Sequence, residues 1–181
     1  MKEYGKLVGK VLVLLAQGTM LGLSRDKGLR LEILKDADRT WHEIDRKLLY
    51  QILKRLKLGH HIEFLKTRNG IEFARLTAKG KERFLQHQFN ILALPRAKRW
   101  DGKWRIVLFD IPEPKKKIRD SLRRKLKALG FLEFQKSVFI YPFPCRDEIN
   151  FVINFYNIPE YVYYLEAPLV PDGGFRKEFD I

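Results

Sequence analysis

The stretch WRIVLFDIPEPKKKIRDSLRRKLKALGFLEFQKSVFIYPF, residues 104–143, decides the fold of the second half of the chain. An apolar run that ends at Asp110 predicts a strand, a basic segment with regularly spaced leucines predicts a helix, and two further apolar runs predict strands. Beyond the stretch, residues 147–157 read as a helix and residues 161–167 as a last strand. The order β-α-β-β-α-β predicts a split βαβ, or ferredoxin-like, domain over residues 104–181.

Upstream, the stretch TWHEIDRKLLYQILKRLKLG predicts a long amphipathic helix over residues 41–57. Thr40 is the predicted N-cap, because Glu43 three residues later completes a capping box. Gly59 suits the C-terminus of this helix. Its apolar residues recur at intervals of three and four and fall on one face; they are Trp41, Ile44, Leu48, Leu49, Ile52, Leu53 and Leu56.

Two strands follow this helix, over residues 61–66 and 71–76. Arg68-Asn69-Gly70 joins them, and Asn-Gly between two such runs is the strongest short signal for a hairpin. Thr77 is predicted to cap a last helix that extends to about Gln88. Helices, then a hairpin, then a helix are the elements of a winged helix-turn-helix.

The predicted fold class is therefore α+β, with two domains. A winged helix-turn-helix domain occupies residues 1–88, a basic linker occupies 89–103, and the ferredoxin-like domain occupies 104–181. The last eleven residues, PDGGFRKEFDI, contain a turn signal. We expect this tail to dock either on the sheet of its own domain or on a partner subunit.

The composition favours a polyanionic partner. The chain has 36 lysine and arginine residues against 22 aspartate and glutamate residues, a formal charge of +14. Residues 1–98 account for +11 of this charge, and nucleic acid is the usual partner of such a surface. The single cysteine excludes an intramolecular disulfide and a cysteine-based zinc site. The apolar runs are too short to span a bilayer, so we expect a soluble, cytosolic protein that does not bind membranes.

The polar face of the 41–57 helix supplies most of the candidate DNA contacts. In a winged helix, this helix would meet base edges in the major groove, and the hairpin would contact phosphates. The alternative to DNA binding is that this face is simply the solvated, basic side of an ordinary helix. The candidate residues on the helix and the hairpin are His42, Arg46, Lys47, Tyr50, Gln51, Lys54, Arg55, Lys66 and Arg68.

Asp110 is the one candidate for metal binding or catalysis. Mg²⁺ prefers oxygen ligands, and one carboxylate from each of two subunits would suffice to hold an ion together with water. A phosphodiester hydrolase usually also needs a base or a second metal, and Glu113 is the only nearby acid. The structural alternative is that Asp110 accepts backbone N–H groups in the turn before the helix. No cofactor is expected unless the protein is a Mg²⁺-dependent nuclease.

Both halves of the chain resemble known families. Leu53–Phe84, with LTAKG after the hairpin, resembles the winged-helix superfamily. The segments FDIPE, IRDSLRRKLKALGF and FQKSVFIYP resemble the CRISPR-associated protein two (Cas-two) family, whose strand-end aspartate is the proposed nuclease metal ligand and matches Asp110. A winged helix followed by WDGKWRIVLFDIPE is similar to the PaaX-like transcriptional repressors. Those repressors usually continue into a further C-terminal domain, and on this resemblance we expect that domain to be missing after Ile181.

The resemblance implies a transcriptional regulator that binds double-stranded DNA as a homodimer. Two alternatives remain at this point. One is a Cas-two-like nuclease that uses Mg²⁺ at Asp110, and the other is a non-catalytic DNA-binding component related to CRISPR adaptation.

Overall fold

The computed structural model describes residues 2–16, 45–66, 72–171 and 174–181. Within these ranges the backbone combines helices with antiparallel strands, which confirms the predicted α+β class. The chain divides into two compact units, Met1–Asn90 and Ile91–Ile181. Across the described ranges, no helix has the length and apolar character needed to cross a membrane.

The described part of the first unit contains three helices and a hairpin. These elements are α1 (Lys2–Ala16), α2 (Arg46–Leu58), β1 (Ile62–Lys66), β2 (Glu72–Leu76) and α3 (Ala78–Ile91). Apolar side chains from α1, α2 and the hairpin form the core, because each element has one apolar face to bury. The core contains Val11, Leu12, Leu14, Leu15, Ile52, Leu53, Leu56, Ile62, Ala74 and Leu76.

Helix α2 begins later than the sequence predicts. Asp45, the residue before the helix, has φ −54° and ψ 128°, and its Oδ1 atom accepts a hydrogen bond from the Leu48 amide at 2.9 Å. Asp45 is therefore the N-cap, since its side chain satisfies an amide that has no partner within the helix. The predicted continuous helix from residue 41 is wrong, because these dihedral angles interrupt it. Thr40 and His42 lie outside the described residues.

Thr77 caps helix α3, as predicted. The Thr77 hydroxyl accepts a hydrogen bond from the Gly80 amide at 3.1 Å, and the Thr77 amide donates to the His61 carbonyl at 3.1 Å. A Cβ atom on Gly80 would lie 1.9 Å from the His61 carbonyl oxygen, so only glycine permits this approach. The helix continues to Ile91, three residues beyond the predicted end at Gln88.

The two strands of the first unit form an antiparallel hairpin, in agreement with the prediction. Ile62 lies opposite Leu76, and Lys66 lies opposite Glu72. The predicted Asn-Gly turn between them, with Arg68, lies outside the described residues.

The second unit contains one four-stranded antiparallel sheet. Its strands lie in the spatial order Leu132–Gln135, Val138–Tyr141, Trp104–Phe109 and Val162–Ala167. Short 3₁₀ turns over Glu113–Lys115 and Pro159–Tyr161 precede the first helix and the last strand of this unit. This order and pairing are those of the predicted split βαβ arrangement. The elements are β3 (Trp104–Phe109), α4 (Lys116–Ala128), β4 (Leu132–Gln135), β5 (Val138–Tyr141), α5 (Arg146–Tyr156), β6 (Val162–Ala167) and α6 (Phe175–Phe179).

An ion pair between a buried arginine and a half-exposed aspartate joins the start of β3 to the preceding turn. The side chain of Arg105 is 3% exposed, and its two terminal nitrogens donate to both carboxylate oxygens of Asp101 at 2.6 and 2.7 Å. One of these nitrogens also donates to the carbonyls of Lys103 and Pro142. Gly102, with φ +78°, permits the tight turn that brings Asp101 back to the strand. The turn and the end of β5 are thus tied to β3.

The described residues of the C-terminal tail contact the sheet of their own domain, which is one of the two positions expected from the sequence. Phe175 and Phe179 of α6 contact the Trp104 ring, with centroid distances of 6.4 and 5.7 Å. Arg176 lies over the Trp100 ring at 4.8 Å from its centroid, and Arg96 donates to the Phe179 carbonyl at 3.3 Å. These contacts leave Trp104 fully buried.

We predict that Asp101→Asn destabilises the second unit, because it leaves the buried Arg105 guanidinium without a counter-charge. We expect the free energy of unfolding in urea at neutral pH to fall by about 1–2 kcal/mol, a modest value because Asp101 is half-exposed. Asp110→Asn is the matched control, since Asp110 is exposed and its side chain forms no hydrogen bond with the described residues.

The difference between Asp101→Asn and the unmodified protein should depend on pH. Hydrogen bonds from Arg105 hold the pKa of Asp101 at about 2, below its ordinary value of 3.8. A lowered folded-state pKa contributes stability above the unfolded value, and this contribution is lost as the pH falls toward the folded value. The difference between the two proteins should therefore narrow below about pH 4. A constant difference down to about pH 3 would contradict the role of this ion pair.

Candidate nucleic-acid interface

The outward face of α2 carries the described residues of the predicted DNA-binding set. Lys47, Gln51 and Lys54 are exposed and separated by four and three residues, so they form one stripe along the helix. Tyr50 is 65% exposed beside this stripe. Arg55 is also exposed on α2. The opposite face of α2 is buried in the core, so these side chains are held outward by the packing of the helix itself.

The remaining predicted contacts are less fully described. Arg46 is the first residue of α2 and Lys66 is the last residue of β1. His42 and Arg68 lie outside the described residues. Five of the predicted side chains therefore lie on the exposed surface of α2, and for Arg46 and Lys66 the structure gives the backbone position alone.

A shallow apolar groove lies between α2 and β1, and sequence reasoning missed it. The Lys57 ammonium group lies over the Phe64 ring, 5.0 Å from its centroid. Leu58 is 71% exposed, because it lies one helical turn after Lys54 on the outward face of α2. The spacing of four residues between Lys54 and Leu58 could have predicted from the sequence that this leucine is exposed. The groove is lined by Tyr50, Leu53, Lys54, Lys57, Leu58 and Phe64.

The cations of α4 are largely committed to partners within the second unit. Glu133 of β4 forms ion pairs with Arg123 and Lys127. Hydrogen bonds from Lys127 and then Arg123 lower the pKa of Glu133. Glu113 accepts a hydrogen bond from Arg119 at 2.8 Å. The basic helix that dominates the sequence therefore presents less uncompensated charge than its composition indicates, whereas the described lysines of the α2 stripe form no ion pair with described residues.

Asp110 follows β3 as predicted, but its side chain does not cap the next helix. The Asp110 amide donates to the Tyr161 carbonyl at 3.0 Å, while the carboxylate is exposed and forms no hydrogen bond with the described residues. The expectation that this side chain accepts turn amides is wrong, because the helix is instead preceded by a 3₁₀ turn that begins with Glu113 and Pro114. Glu113, the nearest acid in sequence, is paired with Arg119.

Metal-binding geometry is limited at this position. Across the described ranges, no three histidine, cysteine, aspartate or glutamate side chains are grouped so as to hold a metal ion.

The second unit has a ferredoxin-like arrangement, and a family comparison identifies its type. Residues 97–177 match the family model described as the PaaX protein central Cas2-like domain. This match confirms the resemblance to PaaX-like proteins for that part of the chain, which is just under half of its length. No curated protein matches the chain.

We predict that Asp110→Ala leaves the stability of the protein almost unchanged. An exposed side chain with no hydrogen bond contributes little, so the change in free energy of unfolding should stay within about 0.5 kcal/mol. Chemical denaturation followed by circular dichroism would measure it. A loss above about 1 kcal/mol, the cost of a lost cap, would mean that the carboxylate supports the turn after all.

Proposed function

We propose that the protein is a transcriptional regulator of the PaaX type that binds double-stranded DNA as a homodimer. Residues 1–88 act as a winged helix-turn-helix domain, with α2 as the recognition helix and the hairpin as the wing. Residues 89–103 connect it to the ferredoxin-like domain of residues 104–181, which forms the dimer. The observation that carries this proposal is the exposed stripe of Lys47, Gln51 and Lys54 on a helix followed directly by a hairpin.

Electrostatics supports duplex DNA as the partner. The charge of +11 on residues 1–98 suits a polyanion. An α-helix with exposed cations and an amide side chain fits the major groove, whose width admits a helix. The similarity of residues 97–177 to the central domain of PaaX proteins agrees with a regulatory rather than a metabolic role.

We predict that duplex binding is salt-dependent and that Lys54 contributes to this dependence. Each phosphate that a cation neutralises adds roughly 0.9 to the slope of log affinity against log salt concentration. In fluorescence anisotropy titrations over a series of NaCl concentrations, Lys54→Ala should reduce the slope by roughly this amount. Lys177→Ala, an exposed lysine on α6, is the matched control and should leave the slope unchanged. Equal effects of both substitutions would mean that α2 is not the recognition helix.

The proposed dimer surface is the exposed face of strand β6. This strand lies at the edge of the sheet, and its side chains alternate between the two faces. Val162 is buried, whereas Tyr163 and Leu165 are 57% and 49% exposed. Exposed edge strands invite pairing with another chain, and aromatic residues are enriched at interfaces. A second copy of the chain would cover both side chains by symmetry.

We predict that Leu165→Glu dissociates the dimer, because it buries a carboxylate in an apolar interface. Light scattering coupled to size-exclusion chromatography should give a dimer for the unmodified protein and a monomer for the variant at micromolar concentrations. Leu85→Glu is the matched control, because Leu85 of α3 is 45% exposed in the first unit. A monomeric unmodified protein, or dissociation by both substitutions, would contradict the proposed surface.

A further inference from the structure

The exposed stripe of α2 contains three side chains with different chemical abilities. The two lysines, Lys47 and Lys54, carry compact positive charges that donate hydrogen bonds and accept none. Gln51 lies between them, four residues after the first and three residues before the second. Its amide offers two donor hydrogens and an acceptor oxygen side by side. Within the stripe, only Gln51 presents a donor and an acceptor together.

Gln51 also has no partner among the described residues. It is exposed and forms no hydrogen bond with any described residue. The helix beneath it is anchored by Ile52 and Leu53, which are at most 2% exposed. An exposed side chain on a well-packed helix is suited to contact a partner, because little backbone freedom is lost when it binds.

The donors and acceptors that the bases present in the DNA major groove favour one base as the partner of Gln51. In the major groove, adenine presents an acceptor at N7 beside a donor at N6, which matches the amide of glutamine in a bidentate contact. Guanine presents two acceptors and therefore suits arginine or lysine. Lysines on either side of a base-reading residue are placed to contact phosphates, which fix the register of a helix on the duplex without reading sequence.

We propose that Gln51 is a specificity-determining residue that reads an adenine in the major groove, with Lys47 and Lys54 contacting the flanking phosphates. This inference rests on the proposed function and adds the base class of the target. Each half-site contains an A·T pair whose adenine N6 and N7 atoms meet the Gln51 amide. Loss of this contact reduces discrimination at that base pair and leaves the other positions unchanged.

The test begins by selecting binding sites from a randomised duplex library with the unmodified protein, Gln51→Ala and Gln51→Glu. With Gln51→Ala we expect discrimination at one A·T position to fall about five- to 150-fold, with the other positions and the salt dependence retained. Gln51→Glu offers acceptors only, so the preferred base at that position should change from adenine to cytosine, whose N4 group donates. Gln86→Ala is the matched control, an exposed glutamine on α3.

A second measurement alters the DNA instead of the protein. Replacing the selected adenine by 7-deazaadenine removes the N7 acceptor, and this should weaken binding by the unmodified protein but not by Gln51→Ala. If the unmodified protein selects a defined site and Gln51→Ala selects the same site with equal discrimination everywhere, the assignment of Gln51 is overturned while DNA binding stands. If the unmodified protein shows no salt-dependent binding to any duplex, the proposed function itself fails.

Discussion

The second unit depends on how one buried cation is neutralised. A guanidinium removed from water is costly unless charged and polar partners surround it, and Arg105 has both carboxylate oxygens of Asp101 and two backbone carbonyls. The Nε atom of Arg105 lacks a partner among the described residues. The hydrogen bonds that offset the loss of water around the guanidinium are therefore made by its two terminal nitrogens. These bonds draw the turn before β3 and the segment after β5 to the same point. Trp104, the neighbour of Arg105 in β3, contacts Phe175 and Phe179 of α6.

The sequence predicted best the elements whose pattern is local and redundant. The apolar face of α2 is specified by several residues at helical spacing, and the pairing of β1 with β2 is specified by two apolar runs on either side of an Asn-Gly pair in the sequence. An error at one position therefore changes little. The start of α2 was mispredicted because Thr40 with Glu43 and Asp45 with Leu48 both satisfy the chemistry of an N-cap. Propensity alone does not rank two candidate caps five residues apart.

The candidate site shows a different limit of sequence reasoning. The exposure of Lys47, Gln51 and Lys54 follows from their position opposite the apolar face, and it was predictable. The neutralisation of α4 was not, because Glu133 reaches Arg123 and Lys127 only after the chain has turned back into β4. Asp110 was misread for the same reason, since the hydrogen bonds that a strand-end side chain makes depend on the residues that surround it in space. Counting charges along one segment of sequence therefore overestimates how basic its surface is whenever an acidic residue from another element pairs with its cations.

The aromatic cluster around Trp104 makes the second unit spectroscopically distinct. The chain has three tryptophans, and Trp100 and Trp104 lie 5.3 Å apart between ring centroids in this unit, in contact with α6. With Trp41 replaced by phenylalanine, all indole emission would originate from this one cluster. Quenching or a red shift of this emission would then report the release of α6 from the two indole rings, separately from events in the first unit. The same residues that complete the hydrophobic face of the sheet thus serve as a built-in optical probe of its integrity.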